Sequence, residues 1–163
     1  MSPNNAVHDR ASMLASLKLE NAAWQTLLQV LRDEEQALID GAADRLAPLN
    51  ARKLVQLEAV SDHARSRHAD LRAAGHTPDH AGMDAWLAQD ERPESRRGWQ
   101  QLCEMEQDAQ AINQRIGALI ELRLSTTRQA LNVLVHSATG QSGLYDHAGL
   151  AVAAHKGKPL TAA

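Results

Sequence analysis

The sequence predicts an all-α protein, an elongated antiparallel bundle of three long helices and one short helix. Aromatic residues make up only 2% of the 163 residues, with three Trp, one Tyr and no Phe. The apolar residues are mostly Ala and Leu, which head the helix scale, whereas strands favour β-branched and aromatic residues. A β-sandwich, a barrel or a parallel-sheet enzyme is therefore close to excluded. The length suits one domain.

The first predicted helix runs from about Asp9 to Asp40. Its apolar residues recur at spacings of three and four, with polar interruptions at Asn21 and Glu35. This period places them on one helical stripe. Gly41 follows, and glycine suits the left-handed position just after a helix end. The stripe comprises Leu14, Leu17, Asn21, Trp24, Leu28, Leu31, Glu35 and Leu38.

The second predicted helix ends near residues 73–75. Asp44 can cap it, although proline is tolerated only near a helix start, so its regular part can begin closer to Pro48. Its stripe comprises Leu49, Leu57, Val60, Ala64 and Leu71.

The sequence from residue 75 onwards predicts a loop, a short helix, the longest helix and a tail. Two Gly and one Pro mark a loop over residues 75–82, residues 83–89 form a short helix, and residues 91–93 end it. The last helix runs from about Glu94 to His136, and its broad stripe predicts partners on more than one side. A bundle domain therefore covers residues 9–137, and a flexible tail covers residues 138–163, which has few large apolar side chains. The core-type positions are Trp99, Leu102, Ala109, Ile112, Ile116, Leu119, Ile120, Leu131 and Leu134.

Charge and cysteine content indicate a cytoplasmic protein without nucleic-acid partners. The net charge is -3, and no basic stripe is present to neutralise phosphates. The single Cys103 suits a reducing compartment. We expect no secretory signal peptide and no stable membrane insertion, because no stretch approaches about 20 apolar residues.

Catalytic, metal-binding and cofactor motifs are absent from the sequence. None of the eight His follows a Glu by three residues, as di-metal helical bundles require. The histidines are therefore expected on the surface, and the acidic run 33–35 on a solvated helix face. Zinc, nucleotide and nucleophile-elbow patterns are also missing. We expect no catalytic residue, no metal and no cofactor.

Three residues stand out against the helical pattern. Asn113 interrupts an apolar stripe, so it either fixes helix register or contacts a partner. Gly117 lies in mid-helix, where glycine costs about 1 kcal/mol relative to alanine, so a close helix crossing or a partner helix is expected there. Tyr145 is the only tyrosine and follows the last helix; it either folds back on the bundle or anchors a partner.

These residues resemble the FlgN family of flagellar export chaperones. The family pattern is approximately N-x-x-N-G-x-L-I, then T/N-Q-x-A-L-x-x-L, then L-Y-x-x-x-G. The chain matches it over residues 113–123, over residues 127–134 and at Leu144, Tyr145 and Gly149. Residues 31–38 and 53–57 also resemble the family. One departure is Ile116, where the family usually has its second Asn.

The resemblance implies a helical cytosolic chaperone that carries hook-associated proteins, the two hook–filament junction proteins, to the flagellar type III export apparatus. It further implies that their C-terminal helices are bound, that premature assembly is prevented, and that Tyr145 docks on the export gate. The expected cargo-binding residues are Asn113, Ile116, Gly117, Ile120, Leu124, Leu131 and Leu134.

An alternative use of the same stripe is self-association. A homodimeric helical adaptor without cargo would bury the last helix against a second copy, so a possible homodimer stays open beside the chaperone hypothesis.

Overall fold

The computed structural model describes residues 3–90 and 92–141, with the side chains of residues 11–90 and 92–137. It confirms the all-α class, since these residues form four helices and no strand. The helices are α1 (Pro3–Asp40), α2 (Ala43–Ala73), α3 (His80–Leu87) and α4 (Pro93–Gln141). Two compact units are distinguished, residues 1–120 and residues 121–163.

The first helix begins earlier than predicted and ends where predicted. α1 starts at Pro3 rather than near Asp9, and proline is well suited to the start of a helix because its fixed φ matches the helical value. Gly41 adopts φ 73°, the left-handed conformation expected of it. The chain then turns within two residues into α2.

The start of the second helix corrects the sequence-based expectation. α2 begins at Ala43, so Asp44 lies inside its first turn, and the N-cap Ala42 makes no side-chain capping bond. The negative charge of Asp44 still stabilises the helix, because it lies near the positive N-terminal end of the helix dipole. Pro48 lies within the helix and not at its start. This is tolerated near the N-terminus, where proline removes only one backbone hydrogen bond.

The predicted loop over residues 75–82 is shorter than expected. α3 begins at His80, because the Asp79 carboxylate accepts a 2.8 Å hydrogen bond from the Gly82 backbone N–H and caps the helix. The hydrogen bond from the Thr77 hydroxyl, followed by that from Gly82, lowers the pKa of Asp79. The capping carboxylate therefore remains charged well into the acidic range.

The last helix is longer than predicted at its C-terminal end. α4 starts at Pro93, next to the predicted Glu94, and continues to Gln141 rather than ending near His136. The first four residues of the predicted tail are therefore helical in their backbone. The rest of that tail lies outside the described residues, and the predicted domain boundary at residue 138 stays a prediction.

Side-chain pairs establish the up-down-up order of the three long helices. Glu34 pairs with Lys53 at 2.8 Å, and Glu20 pairs with Arg67 at 2.8 Å, so α2 runs antiparallel to α1. The Asn21 amide donates a 3.0 Å hydrogen bond to the carbonyl of Gly98 in α4. A second α1–α4 contact joins Arg115 to Glu35. Both residues of this contact lie closer to the C-terminal ends of their helices than Asn21 and Gly98 do, so α1 and α4 run parallel.

Two apolar clusters form the core of the first unit. One joins α1, α2 and α4, and the other also includes α3. Trp99 is buried in the second cluster, and Trp24 packs partly buried against both, as expected. The first cluster contains Leu27, Leu28, Leu31, Leu38, Val60, Met105, Ala109, Ile112 and Ile116. The second contains Met13, Leu17, Leu71, Met83, Trp86, Leu87, Trp99 and Leu102.

Three predicted surface and core assignments in the first unit are wrong, those of Glu34, Leu57 and Ile120, the last of which was placed among the core-type positions of α4 but is 41% exposed. Glu34 was expected on a solvated face, but it is 7% exposed because Lys53 in α2 reaches it. Leu57 was placed in the core stripe of α2, but it is 44% exposed. The helical period predicts which side of a helix faces the core. It does not predict the burial of residues at the edges of that side, because a small rotation of the helix exposes one edge and buries the other.

Candidate partner-binding surface

The described part of the second unit is a helical segment that is exposed along its whole length. Every residue from 121 to 137 is exposed. Six of them are large apolar residues whose exposed fractions lie between 50% and 68%. Scattered exposed apolar residues are common on proteins, but contiguous patches mark sites of interaction. This C-terminal apolar surface comprises Leu122, Leu124, Leu131, Val133, Leu134 and Val135.

The helical period divides this surface into a stripe and a second side. At 3.6 residues per turn, Leu124, Leu131 and Leu134 lie within about 80° of one another. These three residues, here called the leucine stripe, are 52%, 58% and 64% exposed. Leu122 and Val133 lie on the far side of the same helix. The expectation that this helix has partners on more than one side stays a prediction, since these positions show only that apolar residues are exposed on both sides.

The predicted site residues in the first unit differ in their surroundings. Asn113 and Gly117 are exposed, and Ile120 is 41% exposed. Ile116 is only 5% exposed and belongs to the first core cluster. An added Cβ at Gly117 would meet nothing within 4 Å. A close helix crossing among the described residues therefore does not explain this glycine, and a partner helix at this position stays a prediction.

A polar cluster that the sequence analysis missed lies beside the second core cluster. The Arg67 guanidinium donates hydrogen bonds of 2.8 and 3.1 Å to the Glu20 carboxylate, and both side chains are buried. The guanidinium also lies 4.9 Å from the Trp99 ring centre, a cation–π distance. Arg67 lies three residues after Ala64 and four before Leu71, on the inward stripe of α2. The helical period could therefore have predicted that Arg67 is buried.

His80 and Cys103 extend this cluster towards the surface. The His80 ring lies 4.8 Å from the Trp99 ring, and its Nε2 is 3.3 Å from the Cys103 Sγ. Its Nδ1 lies 3.4 Å from an Asp84 carboxylate oxygen. Burial, followed by the charge of Glu106, raises the pKa of the Cys103 thiol above its ordinary value of 9.0.

The protonated thiol is not an activated nucleophile, because attack requires the thiolate. The described residues contain no group of three or more His, Cys, Asp or Glu side chains placed to hold a metal ion. Helices long and apolar enough to cross a bilayer are also missing from the part of the chain that the structure describes.

Comparison with known protein families shows which family the chain belongs to. The model of the family described as FlgN protein matches residues 9–153, a range that includes most of α1, all of α2, α3 and α4, and the C-terminal apolar surface. The chain belongs to the FlgN family. FlgN proteins are flagellar export chaperones and bind flagellar export substrates. Comparisons with curated proteins and with solved structures found no match.

Membership in the FlgN family gives the chain the general role of a flagellar export chaperone. FlgN is a chaperone family whose members bind export substrates, and the thiol in the polar cluster around Arg67 is not an activated nucleophile. The Ile116 departure from the FlgN pattern has a structural consequence, because this side chain packs in the core. Tyr145 falls within the matched residues but lies outside the described part of the structure.

Proposed function

We propose that this FlgN protein binds the C-terminal helices of the hook–filament junction proteins, prevents their premature assembly and delivers them to the flagellar type III export apparatus in the cytoplasm. The observation that carries the proposal is the C-terminal apolar surface, with six large apolar side chains at least half exposed on one helix. Such a surface suits an amphipathic helix that presents apolar residues at helical spacing.

Four residues supply direct apolar contact in this proposal: Ile120, Leu124, Leu131 and Leu134. Each is between 41% and 64% exposed. Gly117 allows the backbone of a cargo helix to come close, because its surroundings are open. Asn113 offers an exposed amide that fixes the register of the cargo. Ile116 supports α4 from the core side and reaches cargo only if the bundle rearranges.

Affinity is expected to be moderate, because a carrier has to release its cargo at the export gate. Apolar contacts on a single exposed helix suit this requirement, since they lack the buried charge pairs that slow dissociation. Tyr145 is proposed as the residue that docks on the gate, since aromatic side chains are favoured anchors at interfaces.

Binding to a hook–filament junction protein tests the leucine stripe. Leu131→Ser combined with Leu134→Ser should weaken binding at least tenfold in calorimetry, while circular dichroism remains helical. Leu122→Ser is the matched control, since Leu122 is 63% exposed on the far side of the helix. An equal loss in the control, or unchanged binding in the double variant, would contradict this assignment.

The role of Tyr145 needs a separate experiment. Tyr145→Ala should leave cargo affinity unchanged and reduce export of the cargo from cells. If cargo affinity falls as much as export does, the tyrosine belongs to the cargo site and the gate-docking assignment is wrong.

A homodimeric adaptor without cargo is the second candidate, and the same apolar surface favours it. Light scattering with and without a junction protein separates the two. A dimer that persists unchanged at saturating junction protein supports the adaptor and contradicts the chaperone proposal.

A further inference from the structure

A groove with apolar walls lies between α2 and α4 in the first unit. Trp24 and Leu27 of α1, Leu57 of α2 and Ala109 of α4 line this α2–α4 groove. Leu27 and Ala109 are buried, whereas Leu57 is 44% exposed. Three packed helices leave the position of a fourth helix open, and four-helix bundles fill that position with an apolar helix face. The groove therefore suits the side chains of one further helix.

One carboxylate stands at this groove without an ion pair. Glu106 is the only charged residue among the described residues that line it, and it forms no ion pair in the part of the chain that the structure describes. The Arg67 guanidinium hydrogen-bonds to the Glu20 carboxylate instead. Desolvation is the main reason that the pKa of Glu106 is raised. A cation brought to Glu106 from outside the chain would therefore stabilise its negative charge.

Glu106 lies on the same side of α4 as three of the proposed cargo-binding residues. Glu106, Gln110, Asn113, Gly117 and Ile120 follow one another at spacings of four, three, four and three residues, so they lie within about 80° of one another. All five are exposed. A cargo helix that lies along the last three and continues towards the N-terminal end of α4 therefore passes over Glu106.

We propose that a lysine or arginine of the cargo helix enters the α2–α4 groove and pairs with Glu106. This inference rests on the proposed function and names a feature that the cargo carries. The apolar walls of the groove suit the methylene stem of a long basic side chain, while its charged head reaches the carboxylate. The distance along α4 from Glu106 to Ile120 is about 21 Å. The basic residue of the cargo is therefore about four helical turns from the apolar residue that packs on Ile120.

The pair selects the cargo. A helix with an uncharged or acidic residue at that position would cover the Glu106 carboxylate without compensating its charge, which is unfavourable. Because Glu106 is exposed in the free chaperone, the pair forms at the rim of the groove. A charge at the rim of an interface mainly changes the association rate and its salt dependence. The moderate affinity that delivery requires is thereby kept.

The rate of association with a hook–filament junction protein, measured by surface plasmon resonance, tests the role of Glu106. Glu106→Gln should slow association at least threefold and Glu106→Arg at least tenfold, and added salt should diminish both differences. Glu104→Gln is the matched control, since Glu104 is an exposed acid about 160° away around α4. Unchanged association in both Glu106 variants, or an equal loss in the control, would overturn the inference.

The pH dependence of cargo binding distinguishes pairing from a structural role of Glu106. Its carboxylate is influenced by Glu20 of α1, Arg67 of α2 and His80 of α3, and Cys103 of α4 interacts with it. A cation lowers the pKa of Glu106 in the complex. Cargo affinity should therefore be highest above the raised pKa of the free chaperone and fall as the pH decreases through it. Glu106→Gln should remove this part of the pH dependence, and an identical dependence in both proteins would overturn the inference.

Charge reversal in both proteins tests the contact directly. Each lysine and arginine in the C-terminal helices of the junction protein is changed to glutamate in turn. One of these cargo variants should bind Glu106→Arg protein at least tenfold more tightly than it binds the wild-type chaperone, because the pair is then restored with its charges exchanged. If every cargo variant prefers the wild-type chaperone, the assigned contact is wrong.

The same measurements separate this inference from the proposed function. A wild-type chain that binds no junction protein contradicts the proposed function, and the inference falls with it. If Leu131→Ser with Leu134→Ser loses cargo while both Glu106 variants bind normally, the proposed function stands and only the inference is overturned. If Glu106→Arg changes only the mass of the free chaperone in light scattering, a second copy occupies the groove and the inference is likewise overturned.

Discussion

Replacing Arg67 by Met should destabilise the protein strongly. The substitution keeps much of the side-chain volume but removes both hydrogen bonds to Glu20 and the contact with Trp99. The Glu20 side chain is 0% exposed, so its carboxylate would remain buried without a partner. Removing one member of a buried ion pair typically costs about 3–5 kcal/mol. This is a large share of the total stability of a domain, about 5–15 kcal/mol.

Urea unfolding at pH 7, followed by far-ultraviolet circular dichroism, measures this cost. Arg65→Met is the matched control, because Arg65 pairs with Asp62 on the surface, and an exposed ion pair contributes no more than about 1 kcal/mol. The double variant Glu20→Leu with Arg67→Met should recover most of the loss, because it leaves no unpaired charge. A loss below about 1 kcal/mol in Arg67→Met would refute the reasoning that Glu20 depends on Arg67.

Three further predictions concern single positions. Gly117→Ala should raise the unfolding free energy by about 0.5–1 kcal/mol, measured in urea, because the site is helical and open; an unchanged value would contradict this. Gly82→Ala should lower the melting temperature sharply, because the added Cβ would overlap the Thr77 carbonyl oxygen; an unchanged melting temperature would contradict this close approach of Thr77 to Gly82. The Arg115 hydrogen bond lowers the pKa of Glu35 below 4.5, so the stability from this pair is present above pH 4.5 and lost as the pH falls through the lowered pKa. Arg115→Gln should return the pKa of Glu35 towards 4.5 in a nuclear magnetic resonance titration. If the pKa of Glu35 stays as low as in the wild-type protein, the Arg115 hydrogen bond is not what lowers it.

The sequence predicted the fold class and most helix positions because those depend on local preferences. Ala and Leu favour helix, and Gly41 ends α1 in the conformation expected of it. The start of α3 was missed because it depends on Asp79 reaching Gly82, a contact that a cluster of Gly and Pro conceals. Helix ends are decided by such single bonds and not by composition.

The candidate site was harder to predict, because burial depends on which helices face each other. Ile116, Leu131 and Leu134 have the same helical pattern, yet Ile116 is 5% exposed and the two leucines are 58% and 64% exposed. A periodic stripe indicates that some partner covers it, but it does not say whether that partner belongs to the same chain. Glu34 was missed for the related reason that its partner, Lys53, comes from another helix.

The two ion pairs between α1 and α2 also restrict which alignments of this hairpin are possible. Glu20 and Glu34 are two heptads apart, and so are their partners Arg67 and Lys53. Val60 lies midway between those partners, so sliding α2 by one heptad in either direction would bring one carboxylate opposite Val60. An apolar side chain cannot compensate a buried charge. The hairpin is thus protected against the one-heptad slip that its repetitive leucine pattern would otherwise permit.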